Sequence, residues 1–248
     1  MKLIVAEKPS VARDIARVLK ISGKADGCLK GDGYVVSWAI GHLVALCDPE
    51  DYDKIYKRWK QTDLPIIPAM IKLKSVRKTA SQLKILRHWM THSDIDEIIC
   101  ATDAGREGEL IFRYIYQHTN CRKPVRRLWI SSMTDAAISA GFANLRPGND
   151  FDNLFHSARC RSHADWLVGI NASRAYSLAH DAHLSIGRVQ TPTLAMIVAR
   201  QAEIDNFVPK DYWEVEAQFA AQGGPYAGKW FSDAVKDGRL DEKEKTAE

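Results

Sequence analysis

Two short acidic turns hold the residues best suited to chemistry in this sequence. Glu7 follows the apolar run Leu3-Ile-Val-Ala6, and Asp103-Ala-Gly-Arg-Glu107 follows an apolar stretch from Ile95 to Cys100. Beyond each turn apolar residues recur at helical spacing: Val11, Ile15, Val18 and Leu19 after the first, Leu110, Ile111, Tyr114 and Ile115 after the second. Strand, turn and helix thus follow one another twice. In an open parallel sheet ligands collect beyond the C-terminal ends of the strands, so both turns can face one crevice and gather Glu7, Asp103 and Glu107. Such a carboxylate cluster suits magnesium, a hard cation that takes one or two carboxylates and keeps several waters, where phosphate is also present. The competing reading leaves the same acids as N-terminal charges that complement helix dipoles.

The elements that must position these turns can be read from period and punctuation. Ser10 is a plausible cap for the first helix, Leu128-Trp-Ile130 is a third strand, and Thr134 caps a helix that runs to Leu145. Strands alternating with helices predict an α/β sheet for about the first 145 residues. Arg146-Pro-Gly-Asn-Asp150 is a breaker cluster and the predicted boundary. From Phe151 to about Ala182 the pattern is helical; the loop His183–Thr191 interrupts it, and a second helix starts near Pro192 and reaches about Ile204. Trp213, Val215, Ala217 and Phe219 alternate as one strand, with no partner strand evident after it. The expected organisation is therefore residues 1–150 as the α/β domain, 151–210 as a mainly helical domain, and 211–248 as the start of a β-rich region.

Composition narrows the class without choosing the partner. With 248 residues, 46% hydrophobic and 27% charged, the chain is neither disordered nor of low complexity. A net charge of +4 permits a polyanion. The stretch from Lys54 to Arg87 is more pointed: ten lysines and arginines against one acid, Asp63, with Trp59 and Trp89 near it. It reads either as a solvated face or as a nonspecific nucleic-acid track. Five cysteines without a Cys-x-x-Cys pair indicate neither a disulfide framework nor a zinc module, so a reducing cytosol is expected. Charges follow the fourth apolar residue of the N-terminus, and no run approaches about 18 apolar residues, so neither a signal peptide nor a membrane span is expected.

Ile4-Val-Ala-Glu-Lys-Pro-Ser10 and Ala101-Thr-Asp-Ala-Gly-Arg-Glu-Gly-Glu109 resemble the signature segments of the Toprim domain of type IA DNA topoisomerases, in the manner of the bacterial topoisomerase III branch. Gly41-His42-Leu43 and Arg127-Leu-Trp-Ile-Ser-Ser-Met-Thr134 agree with that family, as do the helical segments Ala158–Asn171, Ser173–Tyr176 and Ser185–Pro192. The resemblance implies a Toprim domain, a Rossmann-like mostly parallel sheet flanked by helices, followed by a mainly helical DNA-binding domain. It implies Mg2+ as cofactor, held by Glu7, Asp103 and Glu107, with Lys8 beside the scissile phosphate and His42 near the catalytic pocket. Many Toprim domains carry a second aspartate where this chain has Gly105, which removes one ligand. The resemblance further implies single-stranded DNA as partner, bound through Arg161, Asp165, Arg174, Arg188 and Gln190. Arg161 and Asp165 stand four apart and could instead pair with each other.

Type IA enzymes cut and reseal one strand through a 5′-phosphotyrosine, with the tyrosine in a Pro-Arg-Thr-like context. None of the eight tyrosines here stands in one, so the expectation is a chain that supplies metal and single-strand binding but not the nucleophile. No membrane and no small-molecule cofactor are expected, and the compartment is a bacterial cytoplasm. The rivals are a Toprim nuclease or primase, which shares the acids but not the Arg188 loop, and a noncatalytic single-strand-binding module.

Overall fold

The computed structural model describes residues 1–233 and 237–240. The first strand, β1 (Lys2–Ala6), runs into helix α1 (Pro9–Val18), with Pro9 in its first turn and Lys8 as the cap residue in place of the expected Ser10. Three short strands follow: β2 (Gly23–Ala25), β3 (Cys28–Gly31) and β4 (Tyr34–Trp38). Next come β5 (Val44–Leu46), the single-turn α2 (Pro49–Tyr52), 3₁₀ turns at Lys54–Lys57 and Gln61–Asp63, and β6 (Leu73–Ser75), which pairs antiparallel with β5. Helix α3 (Ala80–Thr91) leads to β7 (Glu97–Ala101), α4 (Arg106–His118) and β8 (Val125–Arg127). After α5 (Asp135–Ala143) and the two-residue β9 (Arg146–Pro147) comes the longest element, α6 (Asp152–His180). Thr134 caps α5 as expected, accepting from Ala137 N at 3.3 Å. The third strand ends at Arg127, before the predicted Leu128–Ile130.

Seven strands form one sheet in the order β2-β3-β4-β1-β7-β8-β9. Its middle, β4-β1-β7-β8, is parallel, while β2, β3 and β9 are antiparallel at the edges. β1 is buried on both faces. Leu3 and Val5 pack with Leu86, Met90, Ile111 and Ile115 from α3 and α4, while Ile4 and Ala6 pack with Ala12, Ile15 and Ile138 from α1 and α5. This two-sided burial is why the strand reads as an unbroken apolar run.

Contacts divide the chain into two compact units, Met1–Thr191 and Pro192–Glu248. The first runs past the expected break at residues 146–150 because α6 packs on α4 and its Phe155 and Ala158 enter the sheet's core. Helix α7 (Gln190–Asp205) starts where the units meet, two residues before Pro192. In the second unit β10 (Glu216–Ala221) does have a partner, β11 (Gly224–Lys229), joined through Gln222 and Gly223. The second strand alternates too weakly to stand out in the sequence, and the hairpin turns at a glycine pair in which Gly224 takes φ +120°. Residues 234–236 and 241–248 of the expected β-rich region lie outside the described residues. Among those described, no helix is long and apolar enough to cross a membrane.

Candidate active site

The parallel register brings the two acidic turns together. Ala6 at the end of β1 is level with Ala101 at the end of β7, so Glu7 and Asp103 emerge side by side. The Asp103 backbone N–H donates to Glu7 Oε2 at 3.1 Å. Lys8 Nζ lies 3.3 Å from Asp103 Oδ2 and 3.9 Å from Glu7 Oε1, an ammonium shared by two carboxylates. Burial pushes the Glu7 carboxyl above its usual range and the charge of Asp103 adds to this, against the bond from the Asp103 N–H and the charge of Lys8.

Glu107 and His42 form the other wall. Glu107 sits in the first turn of α4, where the exposed N–H groups favour an anion, and its Oε1 is 2.7 Å from His42 Nε2. Glu7, His42, Asp103 and Glu107 line one cleft of about 550 Å3, whose remaining lining includes Arg161, Ser162 and Asp165 of α6. The expected trio of acids is thus a close pair, Glu7 and Asp103, with Glu107 bonded apart to His42. Among the described residues no three His, Cys, Asp or Glu side chains stand close enough to share one ion.

The helical half contributes unevenly. Asp165 holds both arginines: Arg161 Nε at 3.7 Å, as the spacing allowed, and Arg188 Nη1 at 2.6 Å. Arg188 is thereby tied to the cleft rim, while Gln190 donates to Ser185 Oγ at 2.8 Å within its own loop. Arg174 departs from expectation. It is buried, donates to the Tyr56 carbonyl at 2.8 Å and lies over the Trp59 ring, so it anchors the segment after α2 instead of facing the cleft.

Sequence reading gave no role to the group that fixes the Asp103 loop. Arg127, buried at the end of β8, donates to the carbonyls of Cys100, Thr102, Asp103 and Leu128 at 2.7–3.1 Å and to Glu109 Oε2 at 3.1 Å. Glu109 also accepts from Arg113 Nε at 2.8 Å. The sequence signals were an arginine beginning an apolar stretch and its place at the head of a segment that agrees with the family. Gly108 completes the support, since a Cβ there would lie 2.2 Å from the Asp103 carbonyl oxygen.

Residues 2–133 match the Toprim domain family, and residues 149–248 match the DNA topoisomerase family. DNA topoisomerase 3 of Bacillus subtilis is 54% identical over 215 residues, 87% of this chain and 30% of that protein. The Bacillus cereus protein of the same name is 53% identical over 216 residues, again 30% of its length. The chain thus spans 30% of the length of these curated relatives. Full-length topoisomerase I from Thermotoga maritima shares the fold, with a TM-score of 0.63 at 22% identity over 99% of this chain and 36% of that one. Because the Toprim match takes in more than half of the sequence and the DNA topoisomerase match most of the rest, the chain belongs to the Toprim-containing type IA DNA topoisomerases.

Proposed function

We propose that this chain supplies the metal-binding and strand-holding part of a magnesium-dependent type IA DNA topoisomerase acting on single-stranded DNA in a bacterial cytoplasm. One observation carries the reading: Glu7, Asp103 and Glu107 line the same cleft as Arg161 and Asp165, with Arg188 bonded to its rim. Carboxylates and a phosphate-binding cation then address one phosphodiester.

The donor set fits a hard divalent cation. Two carboxylates from neighbouring strand ends, one of them pushed toward protonation by burial and by its neighbour, form a site whose repulsion such an ion relieves. Glu7 and Asp103 would hold it, with Glu107 as the third acid of the cleft. When bound, magnesium supplies charge stabilisation on the transferring phosphoryl group. Lys8 is half exposed on a flexible stem and can turn its ammonium from the two carboxylates to a phosphate oxygen. His42 holds Glu107 in place, and Arg161 and Arg188 offer guanidinium donors to neighbouring phosphates. The nucleophilic tyrosine of the complete enzyme is not one of this chain's.

Calorimetric titration of Mg2+ tests the reading. Binding is expected to tighten when a 12-nucleotide single strand is present, and to vanish in the double variant Glu7→Gln, Asp103→Asn. A variant that binds as well as the parent would remove the site.

A further inference from the structure

The basic segment after α2 is not part of the cleft, yet it is built as an ordered surface. Residues 53–72 contain only two 3₁₀ turns, and long-range bonds fix them. Arg174 holds the Tyr56 carbonyl, Asn171 of α6 bonds both N–H and C=O of Ile66 at 2.5 and 3.0 Å, and the Tyr52 hydroxyl accepts from Lys72 N at 2.8 Å. A long irregular connection pinned in this way is more often functional than incidental.

What the segment presents is unusual for a solvated face. Tyr52, Asp53, Tyr56, Ile67, Met70 and Lys72 line a cleft of about 350 Å3, with the Asp53 carboxylate turned to the Ile55 N–H at 2.9 Å. Ile67 is 69% and Met70 72% exposed, and Ile55 in the first 3₁₀ turn is 56% exposed. Lys54, Lys57, Arg58 and Lys60 surround the same turns, and none of them has a carboxylate partner among the described residues. Trp89, by contrast, is buried on the core face of α3 and takes no part. An apolar, tyrosine-walled hollow inside a lysine rim matches a ligand with a flat apolar group on an anionic backbone.

We infer that this hollow is a second base-binding site for single-stranded nucleic acid: one unstacked base enters between Tyr56 and Met70 while Lys54, Lys57, Arg58 and Lys60 meet the flanking phosphates. The inference rests on the single-strand reading of the proposed function. Helix α6 carries both places, with Arg161 at the cleft and Arg174 at this segment. Thirteen residues at 1.5 Å separate them by about 20 Å along the axis. A strand of about six nucleotides covers that span even at the stacked spacing of 3.4 Å per nucleotide. Aromatic and apolar walls bind bases without regard to sequence, and lysines contribute the salt-dependent part.

The experiment compares oligothymidylates of 5 and 20 nucleotides by fluorescence anisotropy, using the whole chain and the surface variants Ile67→Ser/Met70→Ser and Lys57→Gln/Arg58→Gln. Both variants are expected to bind the 20-mer about tenfold more weakly, within the range for losing one stacked base, and the 5-mer unchanged. A 5-iodouracil-substituted 20-mer should photocrosslink to the segment 52–72. Unchanged 20-mer binding in both variants, with Arg188→Ala still weakened, overturns the second site and leaves the cleft reading intact. Failure of the parent to bind either oligonucleotide overturns both. Should a short polyglutamate peptide with one central tryptophan bind the hollow while the 20-mer ignores it, the site belongs to a protein partner and the inference is wrong.

Discussion

Arg127 and Glu109 meet at 3.1 Å in the interior, with side chains 1% and 2% exposed. Neither charge has water to fall back on, so each depends on the other and on the carbonyls that Arg127 also serves. Arg127→Met leaves Glu109 with Arg113 alone and takes a donor from four backbone oxygens, of which those of Cys100 and Asp103 keep bonds from Leu128 N and Gly105 N. We predict a loss of about 3–5 kcal/mol in stability, the range for breaking a buried pair, read by urea denaturation. A cost below about 1 kcal/mol, typical of an exposed pair, would show that the network does not hold the loop.

Glycines at 105 and 108 are predicted to behave oppositely. Gly105 has extended backbone, φ −175°, and open space where a Cβ would go, so Gly105→Asp should fold normally and bind Mg2+ more tightly through an added carboxylate. At Gly108 the new Cβ would meet Asp103 backbone atoms at 2.2 and 2.9 Å, so Gly108→Ala should displace the loop, lowering both the melting temperature and Mg2+ affinity. Calorimetry on the two variants checks both, and equal behaviour would contradict the geometry.

Binding to single strands should be steeply salt-dependent. Arg188→Ala is predicted to weaken it and to reduce the slope of log K against log salt by about 0.7, the value of one phosphate contact on a single strand. Arg174→Ala should instead lower stability, because that guanidinium is occupied by the Tyr56 carbonyl and the Trp59 ring. An unchanged slope for Arg188→Ala would mean that this arginine touches no phosphate.

Burial, and then the nearby Arg87 charge, hold the His118 imidazole below its usual value, although it ends helix α4, where the dipole favours a cation. The unfolded chain therefore takes up this proton first as pH falls. Stability from His118 is complete above the unfolded value near 6.5 and is lost as pH drops through the lower folded value. His118→Gln should flatten the decline of melting temperature below about pH 6.5. An identical profile in parent and variant would rule the histidine out as its source.

None of the six tyrosines in the first unit lines the cleft, and Tyr212 and Tyr226 lack a Pro-Arg-Thr-like context. The 248-residue chain is predicted to retain single strands yet form no covalent link to them. Denaturing gels with end-labelled DNA and Mg2+ decide this, since a protein-linked band would falsify it.

What could be read in advance follows from how local each signal is. Strand-turn-helix units with continuous apolar runs located Glu7 and Asp103 at neighbouring strand ends, because two-sided burial leaves a dense pattern. β2 and β3 escaped notice because they are short and largely polar, β2 at the margin and β3 between it and β4, on which the pairing of both depends. Arg174 and Arg127 look like surface cations in one dimension; only the carbonyls that converge on them in space make them internal struts. The pairing of Glu107 with His42, 65 positions apart, had no periodic trace at all.

The strand order has a consequence for motion. β1 is the fourth of seven strands, flanked by β4 and β7, so its amide hydrogens should exchange with solvent only through global unfolding. β2 and β9, at the margins, can open alone and exchange far sooner. Glu7 and Asp103 leave β1 and β7, the strands that open last, so the edges can fray and re-form without loosening the acid pair. The geometry of the acid pair is thereby decoupled from the breathing of the sheet that carries it.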